Sequence, residues 1–135
     1  MINRYFVSAA IIANAVMVSA AGAETFTISC ERQTLYLGNI PTLDTAEHAL
    51  PATSQFTLDH NEFTTNSFGS LVNVNSGTVR QRGSRYELRF SFRYSGGMYD
   101  YTMDYNPNSG SYRQVIVSRE YNVAVGGAEG DCRRL

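Results

Sequence analysis

From Tyr86 to Tyr105 apolar and polar side chains alternate strictly, and this run constrains the fold more than any other feature. Tyr86, Leu88, Phe90, Phe92 and Tyr94 are interleaved with Glu87, Arg89, Ser91 and Arg93. Tyr99, Tyr101, Met103 and Tyr105 are interleaved with Asp100, Thr102 and Asp104. A period of two over this length means two strands with one buried face each, because successive side chains on a strand point to opposite sides. Gly96-Gly97 between them supplies the positive φ angles of a tight hairpin turn. With that pair as the loop, Tyr94 faces Tyr99, Phe92 faces Tyr101 and Phe90 faces Met103. On the other face Arg93 meets Asp100 and Arg89 meets Asp104.

Fainter strands follow the same logic. Thr25 to Cys30 alternates, and Gln33 to Leu37 extends it or pairs with it. Phe56 to Asp59 and Glu62 to Thr65 flank a turn at His60-Asn61. Leu71 to Asn75 and Thr78 to Arg82 flank Ser76-Gly77, and Gly83-Ser84 leads into the main hairpin. Asn106 to Ser111 is dense in turn residues. Tyr112 to Val125 reads as one last long strand, and Gly126 to Gly130 as a loose tail. Thr42 to Leu50 breaks the rhythm. Leu43, Ala46, Glu47 and Leu50 suit a short helix near residues 43–50, capped by Thr42 and ended by Pro51. The expectation is an all-β antiparallel meander of about seven to eight strands. Closure into a small barrel removes exposed edges, with a β-sandwich as the alternative.

The first 23 residues set the compartment. Arg4, the apolar run Phe6 to Val18 and the small-x-small pattern Ala21-Gly22-Ala23 read as a signal peptide. Residues 24–135 then form a single β domain that is exported, periplasmic or secreted, and not membrane-spanning after cleavage. In an oxidising compartment the only two cysteines, Cys30 and Cys132, read as a disulfide. It would close a loop of about 100 residues, worth at most about 4–5 kcal/mol by chain-entropy arguments.

Function is less legible. The net charge is −1 and lysine is absent, so neither a clustered basic surface for nucleic acid nor lysine-based chemistry is available. His48 and His60 stand without HxH, HxxxH or CxxC spacing, so no metal or cofactor is expected. Asp59 and His60 are neighbours on a strand and should point to opposite faces rather than form a dyad. No GxSxG elbow or phosphate-cradling loop occurs, so no catalytic residue is assigned and an enzyme is disfavoured.

Aromatic content is the remaining signal: nine tyrosines, seven phenylalanines and no tryptophan. Buried tyrosine needs a partner for its hydroxyl, which a core built only for packing avoids by using leucine or valine. This points first to a non-catalytic binding module of the cell envelope. An aromatic-lined barrel or cleft, with Phe92, Tyr94, Tyr101 and Tyr105 as its ligand-binding residues, would hold a small, partly apolar ligand. The alternative is a protein-binding module, such as a small hydrolase inhibitor acting through a surface loop (Asn39 to Ser54 or Asn106 to Ser111). In plan the chain is similar to small exported inhibitor barrels: a leader, short strands and one disulfide. The partner is accordingly an unknown small ligand or an envelope protein.

Overall fold

The computed structural model describes residues 25–38, 49–70 and 72–135. The expected signal peptide lies outside them. So does the expected helix, except for Ala49 and Leu50, of which Ala49 alone is helical.

The described chain is all-β. Its eight strands are β1 (Thr25–Leu37), β2 (Thr53–Asp59), β3 (Glu62–Thr64), β4 (Ser76–Arg82), β5 (Arg85–Tyr94), β6 (Gly97–Tyr105), β7 (Ser111–Ser118) and β8 (Val123–Arg134). Each pairs antiparallel with its sequence neighbour, and β8 returns to β1, so the meander closes into a barrel. Closure leaves no exposed sheet edge where the ladders are complete, which a sandwich of short strands would not achieve.

The main hairpin forms where its alternation requires, but two residues out of the expected register. Ser95 and Gly96, not Gly96 and Gly97, occupy the turn, with φ of 50° and 82°. A two-residue turn with both central φ angles positive matches the right-handed twist of the flanking strands, and serine tolerates the first position here. A slip of two keeps every side chain on its expected face and changes only its partner. Phe92 therefore faces Tyr99, Phe90 faces Tyr101 and Leu88 faces Met103. The ion pairs change too. Asp100 pairs with Arg119 of the β7–β8 turn at 2.6 Å, and Asp104 takes a two-pronged pair from Arg85 at 2.8 and 3.0 Å. The expected Arg93–Asp100 and Arg89–Asp104 pairs are replaced, because Met98 and Thr102 stand opposite those arginines.

Three other expectations are corrected. Residues 72–75 form a turn rather than a strand: Val72 and Asn73 both donate to the Gly69 carbonyl, and Asn73 has a φ of 53°. The segment Tyr112 to Val125 is two strands, broken where Asn122 takes a φ of 55° and donates its N–H to the Ser118 carbonyl. Gly126 to Gly130 is no tail but the middle of β8, bonded to β7 on one side and β1 on the other. Small residues suit that place. A side chain at Gly130 would collide with the Glu31 carbonyl and with the ring of Tyr112, its cross-strand partner. Gly77 likewise lies under the ring of Phe63, its own partner in β3.

Cys30 and Cys132 face one another across β1 and β8 and form the disulfide, which fastens the seam that closes the barrel.

Candidate functional site

The interior is aromatic along its whole length. On β5, Tyr86, Leu88, Phe90, Phe92 and Tyr94 point inward, as do Tyr99, Tyr101, Met103 and Tyr105 on β6. The expected ligand residues do not gather at one place. Tyr105 stacks on Tyr86, its cross-strand partner, in the layer at the Gly83-Ser84 end, where Phe26 meets Tyr86 edge-on. Tyr101 stacks on Phe90 with ring centroids 4.4 Å apart, and Phe92 stacks on Tyr99 at 5.4 Å. Tyr94 lies beyond them, half-buried, beside the Ser95-Gly96 turn.

Sequence reasoning missed Phe68. The β3–β4 connection carries it over the end of the barrel, where its ring lies 4.9 Å from that of Phe90 and 5.4 Å from that of Tyr101. It also meets Phe56 edge-on. Phe68 thus packs directly on Phe90 and Tyr101, and two surface clefts, beside Tyr36 and beside Thr64, are lined by none of Phe92, Tyr94, Tyr101 and Tyr105. No local pattern marks Phe68, since it sits in an irregular segment.

Gln114 was also missed, although a signal existed: it interrupts the apolar face Tyr112, Ile116 on β7. Its side chain is 1% exposed, and its Nε2 donates to the hydroxyl of fully buried Tyr101 at 2.5 Å. The Gln114 Oε1 atom is buried with no partner. Burial pushes the Tyr101 hydroxyl well above its usual range, against the opposing effect of the Gln114 hydrogen bond. Burial likewise raises Tyr112, to about 12, and Tyr105.

The exterior carries a second feature. Among the described residues five large apolar side chains are exposed, and four of them lie at one end: Tyr36 and Leu37 at the end of β1, Tyr121 in the β7–β8 turn and Val123 at the start of β8. The register sets the end of β1 beside the start of β8: Tyr36 and Leu37 pair with Gly127 and Gly126, Gly38 donates to the Val125 carbonyl, and Val123 pairs with Ser118 across the β7–β8 turn. Glycines at 126 and 127 leave a shallow groove beside them, about 230 Å³, lined by Tyr36, Leu37, Val115 and Ala124. Of the expected binding loops, Asn106 to Ser111 is drawn tight by hydrogen bonds from Asn106 N–H to Ser111 and from Gly110 N–H to Asn106. Asn39 to Ser54 falls outside the described residues up to His48. Its remainder is anchored by buried Leu50, whose carbonyl accepts from Arg32 Nη1 at 2.6 Å.

Asp59 and His60 do meet, contrary to the strand-based expectation. His60 leaves the strand with a φ of 59°, and its ring turns back so that Nδ1 lies 2.5 Å from Asp59 Oδ1. The Thr25 hydroxyl donates to the same carboxylate oxygen, which holds Asp59 below its usual range together with the larger effect of His60. The hydroxyl is thus tied to the carboxylate and not to the imidazole, so this trio lacks the hydroxyl-to-imidazole hydrogen bond of an activated nucleophile. Among the described residues no three His, Cys, Asp or Glu side chains cluster as metal ligands, and no helix is long and apolar enough to cross a membrane. Compared with known proteins, the chain matches no family model, no curated protein and no solved structure.

Proposed function

We propose that this chain is an exported, non-catalytic binding module that docks a protein partner on the apolar end formed by Tyr36, Leu37, Tyr121 and Val123. The observation that carries the reading is that four of the five exposed large apolar side chains among the described residues lie at this end, two of them, Tyr36 and Leu37, lining a groove with Gly126 and Gly127. Contiguous exposed apolar surface rimmed by polar residues is the usual mark of an interaction site. Aromatic anchors such as Tyr36 and Tyr121 are the side chains that most often dominate binding energy. A barrel fastened by its disulfide supports an exported location, periplasmic or secreted, where such bonds persist.

A second reading keeps a small, partly apolar ligand against Phe92, Tyr94, Tyr101 and Tyr105. It is favoured by one observation: a single loop residue, half-buried Phe68, covers Tyr101. Swinging Phe68 out would open a space walled by Phe90 and Tyr101.

Affinity capture from the native envelope fraction, paired with native mass spectrometry, tests both. A stoichiometric protein partner held by the wild type and lost in Leu37→Asp/Tyr121→Asp supports the docking face. A small added mass that survives that double substitution and disappears in Tyr101→Ala moves the reading to the interior.

A further inference from the structure

The outer face of β1 to β4 is chemically unlike the rest of the barrel. The register lines up Thr27, Thr57, Thr64 and Ser76 in one row across four adjacent strands. Neighbouring strands lie about 4.8 Å apart, so the row is a ladder of hydroxyls at that pitch. Thr27 and Thr57 already touch through their Oγ1 atoms at 2.9 Å. The ladder runs into a cleft of about 530 Å³ walled by Gln55, Thr64, Asn66, Asn75 and Ser76. That is within the range of about 300–1,000 Å³ typical of small-molecule sites.

Two properties of this cleft point to a ligand class. First, the hydroxyls of Thr57 and Thr65 are engaged in holding the walls, while the other five lining side chains are unspent. Thr65 donates through its hydroxyl to the Gln55 carbonyl at 2.6 Å and through its N–H to the Asn75 carbonyl at 2.9 Å. The Gln55 N–H donates to Ser67 Oγ at 2.8 Å. The amides of Gln55, Asn66 and Asn75, and the hydroxyls of Thr64 and Ser76, make no side-chain hydrogen bond among the described residues. Three amides and two hydroxyls therefore converge, each able both to donate and to accept. Second, no charged side chain lines the cleft.

We propose that this cleft binds a neutral glycan chain, laid across β2 to β4 with its hydroxyls on the ladder. Paired donor and acceptor capacity without charge suits sugar hydroxyls, which do both. With no arginine or other cation in the lining, nothing there would offset the charge of sulfated, phosphorylated or uronic sugars. No aromatic side chain offers a stacking platform in the cleft, so binding rests on hydrogen bonds that exchange with water, and a Kd of about 1 mM is expected for a short oligosaccharide. The site is separate from the apolar end and stands whether or not a protein docks there.

The test is a titration of the 15N-labelled protein with cellohexaose, with chitohexaose and with a fully sulfated hexasaccharide, followed by amide chemical shifts. The expected result is saturable shifts at Gln55, Thr57, Thr64 to Asn66, Asn75 and Ser76 with at least one neutral sugar, and none with the sulfated one. Thr64→Val and Asn75→Ala, both at exposed positions, should each weaken binding about tenfold while leaving the β5–β6 amide shifts in place. Absence of shifts with both neutral sugars at 10 mM (about ten times the expected Kd) overturns the proposal. So does equal response to the sulfated sugar, or affinity unchanged in both variants.

Discussion

The Gln114 side chain donates from Nε2 to the hydroxyl of Tyr101 at 2.5 Å, both groups fully buried, and Gln114 Oε1 beside it has no partner among the described residues. The pair is therefore a weak point: it satisfies part of what burial costs and leaves one acceptor unpaired. Gln114→Leu alone should cost about 1–3 kcal/mol, because it strands the Tyr101 hydroxyl. Adding Tyr101→Phe should restore most of that loss. Urea denaturation of the three proteins checks it, and a single variant as stable as the wild type would mean that the hydroxyl finds another partner.

Tyrosine burial makes alkaline stability a second prediction. An unfolded tyrosine ionises near its ordinary value of 10, whereas burial pushes Tyr112 up to about 12 and raises Tyr101 in the same direction. Above pH 10 the unfolded chain sheds protons that the folded chain retains, so unfolding is favoured progressively. Stability should be full below pH 10 and fall between pH 10 and about 12, and Tyr112→Phe should flatten that decline. Thermal melts across the range give the answer.

At the acid end the sign reverses. Hydrogen bonds from Arg119, the larger effect, and Ser91 hold the Asp100 carboxyl below its ordinary value of 3.8. The folded state thus binds its proton less readily than the unfolded one, and this contribution is present above pH 3.8 and lost as pH falls through the depressed value. Asp100→Asn should lower stability at neutral pH slightly, the pair being half-exposed, and remove that part of the acid dependence.

The seam between β1 and β8 should be the first to open on reduction. The disulfide closes a loop across 102 positions of sequence, so removing it should cost up to about 4–5 kcal/mol by the chain-entropy model. In hydrogen exchange of the reduced protein, amides of Cys30, Arg32, Gly130 and Cys132 should lose protection before those of Phe90 and Tyr101. Equal loss across both regions would show the barrel opening as one unit.

Glycine substitutions separate packing from turn chemistry. Gly130→Ala should destabilise by about 1–3 kcal/mol, since its methyl would meet the Glu31 carbonyl, which is backbone and cannot step aside. Gly97→Ala should be nearly neutral, because Gly97 is not at positive φ and its nearest neighbour would lie at 3.4 Å. Were Gly97 the more sensitive of the two, the turn would sit where the sequence alone suggests.

Much of the barrel is legible in the residue order because period-two alternation is a local consequence of strand geometry. Which face of β5 and β6 is buried follows from it, with the turns at His60-Asn61 and Gly83-Ser84 between the runs; the cysteine pairing is legible instead because Cys30 and Cys132 are the only two. The register of the main hairpin does not, because a slip of two preserves both faces and only the turn's φ angles distinguish the options. The candidate sites were harder still. Phe92, Tyr94, Tyr101 and Tyr105 are visible as an aromatic face, yet Phe68, which packs on Tyr101, comes from an irregular loop.

By itself, then, the sequence determined that the chain is antiparallel β, that its aromatic face turns inward and that its ends are joined. Tertiary structure decided what closes on what. Gly126 to Gly130 becomes the closing strand only because β1 and β7 approach too closely for side chains at Gly127 and Gly130, a constraint that exists only between distant segments. The hydroxyl ladder of Thr27, Thr57, Thr64 and Ser76 arises the same way. Its members are scattered over 50 positions and share a face only once four strands are in register.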